Sequence, residues 1–500
     1  VDLFLKLFIS LYFLILTVLT VFGLHRYYLT YLYFRFRNRK VTQPPDFQQL
    51  KEIPLVTIQL PLYNEKYVLA RLIHAVCAID YPRERLEIQV LDDSTDETTA
   101  AARRIVASYA KKGYPIQLIH RENRHGYKAG ALEEGLKAAK GELVAIFDAD
   151  FVPNSDFLKK LVPHFSVSPK IGMVQARWGH VNSDYSLLTK AQSIFLDGHF
   201  MMEHGARNRS GRFFNFNGTA GIWRRQCIQD AGGWQHDTLT EDLDLSYRAQ
   251  VRGWQFVFLP DVVTPAELPV EVNAFKSQQH RWSKGSIQTA RKLIPMILKA
   301  KIPLKAKVEA LFHLTNNFAY LLMVVLSLLM PLSIYFRYQL GWMHSFYIDL
   351  PLFLSATFSV TFFYTCAQRE IYADWKKRLR YIPFNLALGI GISVNNAKAV
   401  VEALFKHQTE FKRTPKYAIE KKTDLWKNKK YTHPFNWVTF VELFLGVYFS
   451  LTLSYVIEQQ IYISIPFMIL FQIGYFYIAL MGLLQSRSVF ALTPKQSQAN

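Results

Sequence analysis

Apolar residues in this chain are gathered into blocks of membrane-spanning length towards its two ends, and the stretch 50–290 between them contains none. A hydrocarbon core about 30 Å thick needs roughly 20 apolar residues in a helix. Within it, every backbone N–H and C=O must be bonded inside the protein. The block 1–24 has that length and is followed by His25, Arg26, Arg35, Arg37, Arg39 and Lys40. A cleaved leader is shorter and carries its charges before the apolar run. The basic cluster after the block therefore predicts a first spanning helix with the following domain on the cytoplasmic side. Apolar blocks return as one pair within 312–366 and a second pair within 436–484, with basic clusters at 369–380 and 421–430 between them. The stretch 381–405 is apolar but holds Asn385, Asn395, Asn396, Lys398 and Glu402, with basic residues on both flanks. Helices lying at the interface fit it better than a single crossing; a re-entrant pair keeps the same sidedness. Five spanning helices with a cytoplasmic C-terminus are expected.

The formal charge is +20 and half of the residues are hydrophobic. A basic excess fits nucleic acid, a membrane surface or an anionic small substrate. No zinc-finger or helix-turn-helix spacing is present, and the basic residues lie beside apolar blocks, so nucleic acid is not an expected partner. Cys77, Cys227 and Cys366 stand at unrelated spacings, which gives neither a disulfide framework nor a metal site.

Within 50–290, short β-like runs at 55–60, 86–91, 116–120 and 143–147 alternate with helical stretches at 66–78, 95–112 and 128–139. This order predicts an α/β domain with a mostly parallel sheet. Ligands bind such sheets at the carboxyl ends of the strands, and acidic motifs stand at those ends here. The first run leads into Tyr63-Asn64-Glu65, an aromatic and a carboxylate that can hold a base, or a turn. The second leads into Asp92-Asp93-Ser94, suited to a base and a ribose hydroxyl, or to a helix cap. The fourth leads into Asp148-Ala149-Asp150. Carboxylates at the end of an apolar strand need neutralising, which a divalent cation on a diphosphate does, with hard oxygen ligands favouring Mg²⁺ or Mn²⁺; a solvated loop is the alternative.

Four further motifs complete the set. His125-Gly126-Tyr127-Lys128 opens a helix, where a lysine and free N–H groups form an anion site. Thr240-Glu241-Asp242 precedes a helix and offers either a general base or a cap. Gln278, Arg281 and Trp282 lie in QQHRW: the arginine suits a leaving diphosphate and the indole a sugar face, or a membrane-interface anchor. Phe411-Lys412-Arg413-Thr414-Pro415-Lys416 is a basic linker or a lid over the site.

In this order, and beside membrane helices, the motifs resemble the inverting family-2 glycosyltransferases, most of all cellulose synthases, hyaluronan synthases and the cellulose synthase-like A and C proteins. The resemblance runs from about Pro54 to Lys416. It implies a GT-A fold, a Rossmann-like nucleotide-sugar-binding domain set among membrane helices, with a cytoplasmic active site. By resemblance, Tyr63, Glu65, Asp92 and Asp93 hold the nucleoside, Lys128 lies near the donor, and Asp148 and Asp150 serve the metal and diphosphate. Asp242 is the general base, with Glu241 beside it and Arg281 at the leaving group. Gln278, Arg281 and Trp282 match the signature of processive members. Asn217, Gly218 and Thr219 match, more loosely, a loop at the acceptor's end. Phe411, Arg413, Thr414 and Lys416 resemble the gating loop of cellulose synthases, with Arg413 where those carry valine.

The expected reaction is transfer of a sugar from a nucleotide-sugar donor, UDP-glucose first and GDP-mannose second, to a growing β-linked polysaccharide, coupled to export. A glycolipid-forming transferase is the alternative, and a transporter with a non-catalytic domain the more distant one. The expected location is a bacterial plasma membrane, with the Golgi as alternative.

Overall fold

The structure, a computed structural model, describes residues 2–39, 43–407, 413–426, 429, 431 and 436–490. Seven strands form one sheet: β1 (Val56–Leu62), β2 (Leu86–Asp92), β3 (Ile116–His120), β4 (Leu143–Ile146), β5 (Ile171–His180), β6 (Gly221–Arg224) and β7 (Gln255–Ala266). Their order is β3-β2-β1-β4-β6-β5-β7. The first four pair in parallel. β6 runs antiparallel to both of its neighbours, so the sheet is mixed beyond β4. The sequence pattern predicts only the first four strands; β6, just four residues long, is too short to show a period.

Helices α2 (Leu69–Cys77), α3 (Thr98–Lys111) and α4 (Tyr127–Ala138) fill the connections between the parallel strands. Val56, Ile58 and Leu60 of β1 are fully buried in an apolar cluster with Leu72, Ile73 and Val76 on one face of the sheet. A second cluster, built on Val144, Ile146 and Trp223, packs the other face. Burial on both faces explains why these strands read as apolar runs.

Nine further helices build the far side of the domain and the apolar bundle beside it. These are α5 (Glu241–Val251), α6 (Val272–Lys299), α7 (Leu304–Thr315), α8 (Phe318–Gln339), α9 (Phe346–Ile371), α10 (Ile382–Gly391), α11 (Ser393–Leu404), α12 (Val438–Glu458) and α13 (Ile465–Phe490). Five segments are long and apolar enough to cross a bilayer: Leu3–Phe36, Phe318–Gln339, Phe346–Ile371, Val438–Glu458 and Tyr462–Ser486. The first helix, α1 (Asp2–Phe36), continues well past the predicted end at residue 24. Its polar groups find protein partners: His25 Nε2 lies 3.0 Å from Glu309 of α7, and the Tyr33 hydroxyl donates to Glu370 of α9 at 2.9 Å. α10 and α11 are not among the five. They pack against α13 and α6 respectively, and Asn385 and Asn396 are fully buried.

α10 meets α13 at two glycines. A Cβ on Gly391 would fall 2.2 Å from the Gly474 carbonyl oxygen, and one on Gly474 would fall 2.2 Å from the Ala387 carbonyl oxygen. Small residues at such a crossing let two backbones touch. Gly474→Ala is expected to lower stability by about 1–3 kcal/mol, as overpacking does, read as a lower thermal midpoint in detergent. An unchanged midpoint would contradict this crossing.

Candidate active site

The carboxyl ends of β1, β2 and β4 open into a cavity of about 190 Å³. Tyr63, Glu65, Asp93, Lys128, Asp148, Asp150, Asn217, Gly218, Glu241, Asp242, Gln278, Arg281, Trp282, Arg413, Thr414 and Lys416 all line it. Segments more than 300 residues apart therefore share one wall. Phe411 lies outside the described residues.

Two expected residues do not line the cavity. Asp92 is fully buried beneath it. One of its oxygens accepts from Thr99 Oγ1 at 2.7 Å and lies 3.0 Å from His120 Nδ1; the other accepts from the Ser94 N–H at 3.1 Å. Neighbours on a strand point to opposite sides, so Asp92 ties β2 to α3 while Asp93 faces the cavity. Thr219 is also fully buried, its hydroxyl accepting from the Asp148 N–H at 2.9 Å. It fixes the acidic loop rather than facing the cavity.

Where the ends of β1 and β2 meet the cavity, Arg121 holds Asp93 with a two-pronged contact at 2.7 and 2.5 Å. The Arg124 guanidinium lies 3.4 Å from the centre of the Tyr63 ring, a cation–π stack that covers an aromatic face expected to meet a base. Neither arginine stands out from sequence, although Arg124 immediately precedes the His125-Gly126 turn. Asn64 has a φ of 55°. Its side-chain oxygen accepts from the Thr95 N–H at 2.8 Å, which clips the end of β1 to the end of β2.

In the middle of the cavity, each carboxylate of the Asp148–Asp150 pair meets a lysine. Lys128 Nζ is 2.5 Å from Asp148, and Lys416 Nζ is 2.6 Å from Asp150. Among the described residues no group of three or more His, Cys, Asp or Glu forms a protein-only metal cage. Two hard oxygen ligands at the wall of a cavity do fit Mg²⁺ or Mn²⁺, which commonly takes its other ligands from phosphates and water. The segment 413–416 closes this side. Arg413 lies 3.2 Å from Glu65. Thr414 is 3% exposed, and its hydroxyl has no partner among the described residues. Burial pushes Glu65 up to about 8, against the pull of Arg413. Glu267, which no sequence motif marks, anchors the segment by accepting from the Tyr417 N–H at 2.8 Å.

At the far end, Asp242 sits in the first turn of α5. Burial, and then the neighbouring Glu241, push its carboxyl up to about 7; Lys128 opposes them. Glu241 is raised as well, chiefly by burial. Burial draws Arg281 down from its ordinary value, opposed by Glu241, Asp148 and Asp242. α5 is set against α6 at Gly285, where a Cβ would lie 2.6 Å from Thr240. Gly218 has a φ of +81°, and a Cβ there would stand 3.0 Å from Asp242 Oδ2 and 3.2 Å from Lys128 Nζ. Its carbonyl accepts from Lys128 Nζ at 3.0 Å.

Gly218→Ala should therefore displace the Asp242 carboxylate and the Lys128 amine as well as straining the backbone. Turnover is expected to fall on the order of 100-fold, the scale of an ångström-sized misplacement, while a tryptophan-fluorescence melt shows a folded protein. Near-normal turnover would mean that this contact does not set the geometry.

The family described as "Glycosyltransferase like family 2" matches residues 54–285. Glucomannan 4-beta-mannosyltransferase 2 of Arabidopsis thaliana is 48% identical over 252 residues, 50% of this chain and 47% of that protein. Glucomannan 4-beta-mannosyltransferase 1 of Cyamopsis tetragonoloba is 44% identical over 270 residues, 53% of this chain and 51% of that protein. The aligned part of the chain thus spans about half the length of these curated relatives. Among solved structures, the mannosyltransferase PcManGT from Pyrobaculum calidifontis, in complex with GDP-Man and Mn²⁺, superposes with a TM-score of 0.53 at 22% identity. That match covers 79% of this chain and 99% of that one, and it establishes a shared fold. Residues 54–285 of this chain are a family-2 glycosyltransferase domain of the GT-A fold, set among membrane-length helices.

Proposed function

We propose that the chain transfers mannosyl units from GDP-mannose to the end of a β-linked polysaccharide, with inversion at the anomeric carbon. One observation carries the reading: a half-buried carboxylate, Asp242, shares a cavity with the Asp148–Asp150 pair, Arg281 and Trp282. The donor rests on the relatives, named as glucomannan 4-beta-mannosyltransferases, and on the GDP-Man held in the PcManGT complex. These relatives reverse the order expected from sequence, which puts UDP-glucose first. They also favour a β-1,4 linkage.

In this reading Asp242 takes the proton from the acceptor hydroxyl as its oxygen attacks the anomeric carbon. The bond from that carbon to the diphosphate breaks with its electron pair on the leaving oxygen. Arg281, Lys128 and Lys416 face the negative charge that builds there. A divalent cation held by Asp148 and Asp150, when bound, adds positive charge at the diphosphate. The segment carrying Thr414 and Lys416 keeps water from the donor. Trp282 lies on α6, which reaches the membrane helices, and a retained polymer leaving along it is the basis for processivity and export. The relatives are plant proteins, which moves the expected location from a bacterial plasma membrane to the Golgi alternative.

The test is a donor screen in lipid nanodiscs with Mg²⁺ or Mn²⁺, following nucleotide diphosphate release and labelled product. GDP-mannose is expected to give high-molecular-weight product. Product from UDP-glucose alone would overturn the donor assignment, and a short lipid-extractable product would replace the polysaccharide reading with a glycolipid one.

The base supplies a second test. Asp242 must be ionised to accept a proton, and its carboxyl stands at about 7, so turnover should decline as the pH falls below that value. Asp242→Asn should cost about 10²–10⁴-fold in turnover with donor binding retained. A flat acid limb in the parent protein, or an active Asn variant, would remove Asp242 from this role.

A further inference from the structure

His199 and His204 lie on the π-helix Gly198–His204, and no sequence motif gives either a role. They are five residues apart. On an α-helix that spacing would point them about 140° apart; the wider i→i+5 winding brings them to one side. Their ring centres are 4.4 Å apart, and both rings meet the carboxamide of Asn217, which lines the cavity immediately before Gly218.

Each proton in this cluster can be assigned. His204 Nε2 lies 3.0 Å from the Asn215 carbonyl oxygen, which only accepts, so that nitrogen carries a proton. The Asn217 atom it also meets, at 2.7 Å, is then the amide oxygen. The amide nitrogen consequently donates to His199 Nε2 at 2.9 Å. His199 must therefore carry its proton on Nδ1, which is 3.0 Å from the Glu203 carboxylate. Among the described residues His204 Nδ1 is buried without a partner, as an unprotonated nitrogen would be; burial, helped by Arg207, holds this ring well below its ordinary pKa. Both rings are neutral, in opposite tautomers, and the amide has one orientation that satisfies both.

The cluster continues to the membrane helices. Glu203 also meets Arg207 at 3.1 Å, Arg207 Nε donates to Glu309 at 3.0 Å, and Glu309 lies 3.0 Å from His25 of α1. The π-helix is itself pinned at both ends. A Cβ on Gly198 would fall 2.6 Å from Tyr364 of α9, and one on Gly205 would fall 3.0 Å from Tyr33 of α1.

We propose that His199 and His204 are positioning residues that lock the Asn217 carboxamide in one orientation and so set acceptor specificity. Each amide group keeps one free site: a second N–H on the nitrogen and a second lone pair on the oxygen. Together they make a donor–acceptor pair of the size to engage neighbouring hydroxyls of a sugar ring beside Asp242. This rests on the cavity being a glycosyl-transfer site.

The test is a double-mutant cycle on the full chain in nanodiscs, with acceptor kinetics and donor hydrolysis without acceptor measured separately. His199→Leu and Asn217→Ala should each lower kcat/KM for the acceptor about tenfold, the scale of one lost buried hydrogen bond. The double variant should fall no further, because both changes break one interaction. His199→Leu should leave donor hydrolysis at the parent rate. His199→Gln, which keeps an acceptor at the ε position, should recover to within about threefold of the parent. Multiplicative losses, or equal loss of donor hydrolysis, would overturn the proposal. A parent protein that transfers no sugar would count against the proposed function instead. The proton positions are then still readable by nitrogen NMR of histidine-labelled protein: His199 protonated at Nδ1 and His204 at Nε2 support the clamp, and the reverse at either ring overturns it.

Discussion

Carboxylates crowded into a cavity of about 190 Å³ are the constraint that the rest of this structure answers to. Glu65, Asp148, Asp150, Glu241, Asp242 and Glu267 converge there, and a buried carboxylate is unfavourable unless cations or hydrogen-bond donors face it. The chain brings its cations from separate places: Lys128 from the start of α4, Arg281 from the middle of α6, and Arg413 and Lys416 from a segment beyond α11. Lys416 reaches Asp150 across 266 residues of sequence. Where the balance is incomplete, the acidic groups rise, as Glu65 and Asp242 do. A carboxyl that ionises near pH 7 beside cations suits the general-base role proposed for Asp242.

That balance also explains why the domain and the membrane helices form one unit. α6 carries Gln278, Arg281 and Trp282 on the cavity side. It reaches the helix bundle through Lys276, whose amine meets Glu442 of α12 at 2.7 Å. Asn395 of α11 donates to the Lys276 carbonyl at 2.9 Å. The π-helix is packed at its two ends against Tyr364 of α9 and Tyr33 of α1, and so the Asn217 side of the cavity is built against the bundle rather than beside it.

Much of this was legible from sequence where the signal was local. Four parallel strands and the acidic residues after three of them followed from apolar runs ending in carboxylates, and the five apolar segments followed from length alone. Other features failed for identifiable reasons. Asp92 and Asp93 look alike in sequence, but the alternation of a strand turns one towards the cavity and buries the other. Thr219 belongs to a motif yet spends its hydroxyl on the Asp148 backbone. α1 outruns its apolar block because partners on α7 and α9 accept its polar side chains, and those partners are hundreds of residues away.

The sequence by itself determined the class of chain: an α/β domain between helices of membrane length, with its acidic groups at strand ends. These depend on residue order within one element, where the pleat, the helical turn and the thickness of a bilayer set the rules. Only the tertiary structure decided which groups face one another. Arg124 over Tyr63 and Glu267 under Tyr417 join distant segments, and two histidines meet the Asn217 amide across a chain reversal. Contact of that kind comes from packing, and the i→i+5 winding that sets the two histidines side by side leaves no period in the sequence.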